Sequence, residues 1–185
     1  MIQIQPFQPD YKEKLYQLIK SADRALVGLS GEPKELLEEW TLKLEKGVWE
    51  MYVATFSKEK KEKKIEGPRA HLPEESNQGK EKQIIGLVTF FGDYEWDKEL
   101  EEKEFEIGIT VAKDFQRQGI GTKLINHVIE RGKELGFEKA SFWTREDNIP
   151  MQKIAERLDF QRIKQKEENN YTWIKYSSVI NGKKS

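Results

Sequence analysis

Between Phe105 and Leu135 an apolar strand runs through a short glycine-bearing loop into an amphipathic helix, and no other stretch constrains the fold as much. It reads Ile107-Gly108-Ile109-Thr110-Val111, then Ala112-Lys113-Asp114-Phe115, then Gln116-Arg117-Gln118-Gly119-Ile120-Gly121-Thr122. A helix start leaves backbone N–H groups without intrahelical acceptors, and the aligned peptide dipoles add partial positive charge there. Such an end attracts a phosphate or pyrophosphate. Gly119 and Gly121 let the backbone curl and approach a ligand with no side chain between, and Arg117 adds charge. The segment lacks the third glycine of a dinucleotide fingerprint and the Gly-Lys-Ser/Thr of a P-loop. Taken alone, it also suits a strand–helix turn whose glycines only relieve strain.

The pattern around this segment fixes the fold class. Ile2 and Ile4 alternate with glutamines as in a half-buried strand. Pro9-Asp10 opens a helix with Leu15, Leu18 and Ile19 on one face. A second helix has Pro33 in its first turn, a stripe of Leu36, Leu37, Trp40 and Leu44, and Gly47 as its stop. Strands follow at Val48 to Phe56, Gln83 to Tyr94 and Phe105 to Val111. The helix from Thr122 to Leu135 turns Leu124, Ile125, Val128, Ile129 and Leu135 inward and stops at Gly136. A strand (Lys139 to Thr144), a short helix (Pro150 to Leu158) and two strands (Gln161 to Lys166, Tyr171 to Ser177) close the chain. This order predicts an α/β fold with a mixed sheet flanked by helices. Residues 57–83, rich in Lys and Glu and poor in large apolar side chains, are expected to form a mobile charged loop.

Composition narrows the function classes. The chain has 185 residues, suited to one domain, here expected over 1–180 with a disordered tail at 181–185. Basic and acidic residues nearly cancel to a net charge of −1, which argues against a dedicated nucleic-acid binder. The absence of cysteine excludes disulfides, thiolate metal sites and thiol nucleophiles. His71 and His127 are the only imidazoles, so no metal centre is expected. The N-terminus lacks the basic-then-apolar pattern of a signal peptide, and no apolar run approaches a membrane span of roughly 18 residues. The expectation is a soluble cytoplasmic protein without a membrane partner. A homodimer formed through edge strands stays open.

The Gln-x-x-Gly-x-Gly spelling after a strand ending Ile-Thr-Val resembles the coenzyme-A signature of the GNAT N-acetyltransferases. Downstream, Asn148-Ile149-Pro150-Met151 through Ala155-Glu156-Arg157-Leu158-Asp159-Phe160 resembles that family's second signature, an Asn followed by a short helix ending in Gly-Phe. The resemblance spans nearly the whole chain. It implies about seven mostly antiparallel strands, about four helices, and acetyl-CoA as the acyl donor. It also implies that Ile109 and Val111 offer backbone groups to the pantetheine arm. Gln116, Arg117, Gln118, Gly119, Ile120, Gly121 and Thr122 would hold the pyrophosphate, and Asn148 would hydrogen-bond the cosubstrate. Asn148 equally suits a helix cap, with Pro150 close behind it.

Acyl transfer to an amine needs a neutral nitrogen, a polarised thioester and a path for the leaving thiolate. An alkylammonium has a pKa of roughly 10, so a general base is expected. Glu106 is the candidate, because it resembles the strand glutamate of several family members. Glu104, on the same strand face, is the reserve. Both belong to an acidic run from Asp93 that is otherwise expected to be solvated. Many family members carry a tyrosine as general acid in the short helix, and here that position is Ala155, which leaves Tyr171, Tyr176, water or no acid at all. Asp159 replaces the usual glycine before Phe160. The turn from Asp93 to Glu102, with Tyr94 and Trp96, suits either a cationic acceptor or a solvated hairpin tip. Trp40, Trp49, Trp143 and Trp173 are expected in the core. The sequence therefore predicts transfer of an acetyl group to a primary amine. The alternatives are a non-catalytic acyl-CoA-binding module and, against the missing lysine, a nucleotide-binding regulator.

Overall fold

The structure is a computed structural model describing residues 1–22, 32–45, 49–57, 82–92 and 100–181. The expectations for the 57–83 loop interior, His71, the Gly47 stop, Tyr94, Trp96 and the tail from 182 lie outside the described residues. The strands are β1 (Ile2–Pro6), β2 (Trp49–Ser57), β3 (Lys82–Phe91), β4 (Glu104–Val111), β5 (Lys139–Arg145), β6 (Gln161–Glu168) and β7 (Tyr171–Val179). The helices are α1 (Lys12–Ser21), α2 (Pro33–Glu45), α3 (Ile120–Glu134) and α4 (Ile149–Arg157). Ser57, Lys82 and Gln83 thus extend β2 and β3 rather than belonging to the charged loop.

All seven strands join in one sheet, ordered β1-β2-β3-β4-β5-β7-β6. Every neighbouring pair is antiparallel except β4–β5. The sheet is mixed and mostly antiparallel, as the order of elements predicts. The tight turn at Asn169 and Asn170, both at positive φ (53° and 62°), joins β6 and β7 as a hairpin, and β6 is the edge because β7 is the strand that pairs with β5.

Two apolar clusters hold the layers together. On one face Leu15, Leu18, Ile19, Leu37 and Trp40 of α1 and α2 pack on Met51, Val53, Ile84 and Leu87. On the other, Ile120, Leu124, Ile125 and Val128 of α3 meet Ile85, Val88, Phe105 and Ile107, and Met151 and Ala155 of α4 join the same cluster. The spacing of three and four that marks each stripe in the sequence is the spacing of one helix face. Leu135 departs from its expected place: it caps the C-terminus of α3 and is 45% exposed, because Gly136 (φ 85°) ends the helix just after it. Trp40 is core, whereas Trp49, Trp143 and Trp173 are only half-buried.

Candidate active site

β4 and β5 are paired only from Glu104–Lys139 through Phe105–Ala140 to Glu106–Ser141. Beyond Glu106 they have no ladder, although β4 continues to Val111 and β5 to Arg145. The sheet forks there. The amide of Ala112 donates to the Ile85 carbonyl at 2.9 Å, so alternate residues of β4 (Thr110, Gly108, Glu106) bond β3. The backbone groups of Ile107, Ile109 and Val111 therefore point across the gap toward β5. Unpaired strand edges of this kind are templates for an extended partner. The Val111 carbonyl is already taken, since the Gln116 side-chain amide donates to it at 3.0 Å. Among the described residues, Ile109 keeps both groups and Val111 keeps its amide.

At the wide end of the fork sits the start of α3. Gly119 is its N-cap, with φ 76° and no side-chain capping bond. The amides of the first turn have no backbone acceptor outside the helix among the described residues. Gln116, Arg117, Gln118 and Gly119 are exposed, and Arg117 also takes positive φ, 59°. Gln116 and Gln118 turn their side chains back onto the Val111 and Asp114 carbonyls and so brace the loop, while the Gln116 amide donates to the Lys113 carbonyl at 3.3 Å. Gly121 lies where a Cβ would stand 3.2 Å from Ile154 of α4 and 3.7 Å from Ile109, so α3 and α4 meet closely over the gap. Thr122 is half-buried in the first turn.

Asn148 caps α4: its side-chain oxygen accepts from the Met151 amide at 3.4 Å, and its own amide donates to the Arg145 carbonyl at 3.0 Å. Asp159 takes φ 59°, the left-handed geometry that a glycine supplies at this turn, which explains how Asp stands in for it. Ala155 is fully buried against the sheet and offers no proton. Tyr176 belongs to the same cluster, stacked on Phe142 at 5.5 Å between centroids, while Tyr171 is exposed and lies under the Arg145 guanidinium at 3.7 Å.

The two carboxylates of β4 differ sharply. Glu104, the reserve base, is 2% exposed and ion-paired with Lys175 of β7 at 3.0 Å. Burial pushes its pKa up, but the Ser141 hydroxyl, the Glu101 amide and Lys175 outweigh that and hold it below the usual carboxylate range. A carboxylate so held is a poor proton acceptor, and Glu104 is neither solvated nor available as a base. Glu106 is half-buried at the last paired position, where the fork opens, on the face carrying α1 and α2. Sequence reasoning missed Lys175, because nothing in its strand marks it as buried. It also missed Thr144 of β5, whose buried hydroxyl has no hydrogen-bond partner and which, counted on from Ser141, comes level with Ile109 across the gap.

A second polar group lies away from the fork. Glu50 takes three hydrogen bonds from Arg131, at 2.9, 3.0 and 3.3 Å, and one from Tyr52 at 2.6 Å. Arg131 first, against the opposing effect of burial, holds Glu50 low, whereas burial and Glu50 push Tyr52 up to about 12. His127 sits edge-on to Tyr52 at 4.5 Å, and burial lowers its pKa. This group ties α3 to β2. No group of three or more potential metal ligands occurs among the described residues. Among the same residues, no helix is long and apolar enough to cross a membrane.

The model of the acetyltransferase (GNAT) family matches residues 35–160. The chain belongs to the GNAT acetyltransferase family. Solved GNAT structures share its fold at low identity. The ribosomal-protein-S18-alanine N-acetyltransferase of Escherichia coli has a TM-score of 0.66 and 16% identity, with 99% of this chain and 96% of that one covered. An N-acetyltransferase from Staphylococcus aureus Mu50 gives 0.68 and 14%, covering 98% and 99%. A spermidine N-acetyltransferase chimera from Vibrio cholerae also gives 0.68 and 14%, covering 97% and 95%. This GNAT chain is therefore an acetyltransferase, with a mixed sheet forked between β4 and β5.

Proposed function

We propose that this GNAT enzyme transfers the acetyl group of acetyl-CoA to a primary amine in a ternary complex, with Glu106 as general base. The fork carries the reading: β4 runs on without a β5 ladder from Glu106, the last paired position, to Val111, ahead of the loop whose exposed Gly119 is the N-cap of α3. The residues fit the donor. The first-turn amides of α3 would hold its pyrophosphate, with Arg117 adding charge. The backbone of Ile109 and the amide of Val111 would pair with the pantetheine amides, and the orphaned Thr144 hydroxyl across the gap supplies a further polar partner. Asn148 acts first as the α4 cap, fixing the helix that closes the arm's other side.

Glu106 takes a proton from the acceptor, directly or through one water. The nitrogen lone pair then forms the N–C bond. Negative charge moves onto the thioester oxygen, where an Ile107 or Ile109 amide facing the gap can stabilise it. The C–S bond breaks, the electron pair leaves on sulfur, and the second nitrogen proton passes to water or to that thiolate, which leaves the neutral amide. A thiol pKa near 8.5 makes the thiolate a competent leaving group, so Ala155 in place of a tyrosine removes little.

Two of the similar structures are named for a ribosomal-protein alanine and for spermidine, which defines an acceptor panel. Calorimetric titration with acetyl-CoA, followed by thiol release with an alanine-initiated peptide and with spermidine, tests the reading. Binding with release on one amine supports it. Binding with no release on any amine points instead to an acyl-CoA-binding module, the reading that the buried Ala155 favours.

A further inference from the structure

Resting on the reading of Glu106 as general base, we infer that Lys175 is a positioning residue for it: the ammonium stands between Glu104 and Glu106 and keeps both carboxylates charged. The register places it there. On β5, Lys139 is level with Glu104 and Ser141 with Glu106. On β7, Lys175 is level with Trp143. Cross-strand partners share a sheet face, as do residues two apart along a strand, so Glu104, Glu106, Ser141 and Lys175 lie on one face. Lys175 starts one strand beyond β5 and two residues above Ser141, whereas Glu104 starts one strand before β5 and two residues below it. Their 3.0 Å ion pair therefore crosses the sheet over Ser141, whose side chain is small and fully buried.

Glu106 rises beside that crossing, one strand spacing of about 4.8 Å away. At about 4–6 Å an opposite charge favours the ionised form of a carboxyl, and a like charge opposes it. Glu104 by itself would be the like charge. Its Oε1 faces Lys175, however, and its Oε2 accepts from the Glu101 amide at 2.9 Å, so that carboxylate is drawn toward the start of β4 with the cation on its Glu106 side. Other charged groups share this face among the described residues. Lys139 bonds Glu101, Arg145 bonds Asp147 and stacks on Tyr171, and Lys164 and Lys166 lie over the Trp143 ring at 5.9 and 4.7 Å. Opposite Glu106, β3 presents Phe91, and α1 and α2 meet this face through the apolar residues over β2 and β3. Lys175 differs in pairing with β4 itself and in being 3% exposed, so solvent screens its charge little. A base so placed stays ready to accept a proton although a second carboxylate stands two residues away.

The test is the pH profile of kcat for wild type, Lys175→Arg and Lys175→Met/Glu104→Gln, using whichever of spermidine and an alanine-initiated peptide the wild type acetylates faster. Glu104→Gln removes the buried charge that Lys175→Met alone would strand, so folding is protected. The acid limb of the double variant should move up by about one pH unit, a tenfold rise in the proton affinity of Glu106. Its turnover on the alkaline plateau and its acetyl-CoA affinity should stay within about threefold of wild type. Lys175→Arg keeps the charge and should keep the limb within about 0.3 unit. Lys175→Gln/Glu104→Gln, a second neutral pair, should repeat the shift of the first. An acid limb unmoved in the neutral pairs, even with a lower plateau, makes Lys175 purely structural and overturns the inference while leaving Glu106 as base. A limb that moves as far in Lys175→Arg overturns it too. Wild-type turnover in Glu106→Gln overturns the base itself, and no thiol release by wild type with either amine overturns acetyl transfer; the role of Lys175 falls with either.

Discussion

The foot of β4 and its forked upper half lie on one strand, yet they treat charge in opposite ways. At the foot the ladder to β5 is complete, and Glu104 is closed in by Lys175, Ser141 and the Glu101 amide. Above it the ladder stops, Glu106 and Ile109 are half-buried, and Gly108 is exposed. Where strand pairing is satisfied, a carboxylate becomes part of the frame. Where pairing stops, the same residue type two positions on is only half-buried, and it is the base we propose. The strong pair below gives the weak edge above a fixed point from which to splay.

Breaking the foot should have the largest effect. Lys175→Met strands a buried carboxylate and should cost about 3–5 kcal/mol, lowering the melting temperature by roughly 10 °C. Lys175→Met/Glu104→Gln should recover much of that loss, which a double-mutant cycle in denaturant melts would measure. The pH dependence has a definite sign. The folded pKa of Glu104 lies below its unfolded value, so the pair's contribution is full above about pH 4.3 and is lost as pH falls through the folded pKa. Wild type should therefore lose more stability in acid than the double variant does.

Next comes the fork itself. Glu106→Gln should lower turnover about 100-fold or more, with melting temperature and acetyl-CoA affinity nearly unchanged. Turnover near that of wild type across the pH range would remove Glu106 from the mechanism and erase the contrast with Glu104. Gly121→Leu, which pushes into Ile154 and Ile109, should weaken acetyl-CoA binding about 10-fold to 30-fold by calorimetry. The smallest effect is expected at Asn148. Asn148→Ala removes a cap worth about 1 kcal/mol, and acetyl-CoA affinity should fall less than threefold if the cap is its main work.

Much of this was legible in the chain itself. Strand and helix periods place every described element to within a few residues, and the strand–loop–helix run from Ile107 to Thr122 lies beside the gap as its local chemistry requires. The distinction between Glu104 and Glu106 was not legible. Both alternate onto one face, and what separates them is a lysine on β7 some seventy positions away, brought close only because β7 enters the sheet next to β5. The register at which the fork opens was hidden for a similar reason, since parallel pairing that stops after Glu106 leaves no mark in either strand's sequence. Ser141 and Lys175 look like an ordinary serine and lysine until the register sets both on the Glu106 side of the sheet. Local pattern reports which way a side chain faces; register decides what it meets.

β6, the outermost strand, carries one further consequence. Its residues are nearly all exposed, and Arg162, Lys164, Lys166, Glu167 and Glu168 crowd eight positions. An unpaired strand edge invites misassociation with any other extended chain, and dense charge is one of the ways proteins refuse it. At the opposite border β1 is short and ends in Pro6, which has no amide to offer. A sheet that leaves one strand edge open inside, where we propose that a thioester arm is gripped, thus guards both of its outer borders against the same kind of grip by strangers.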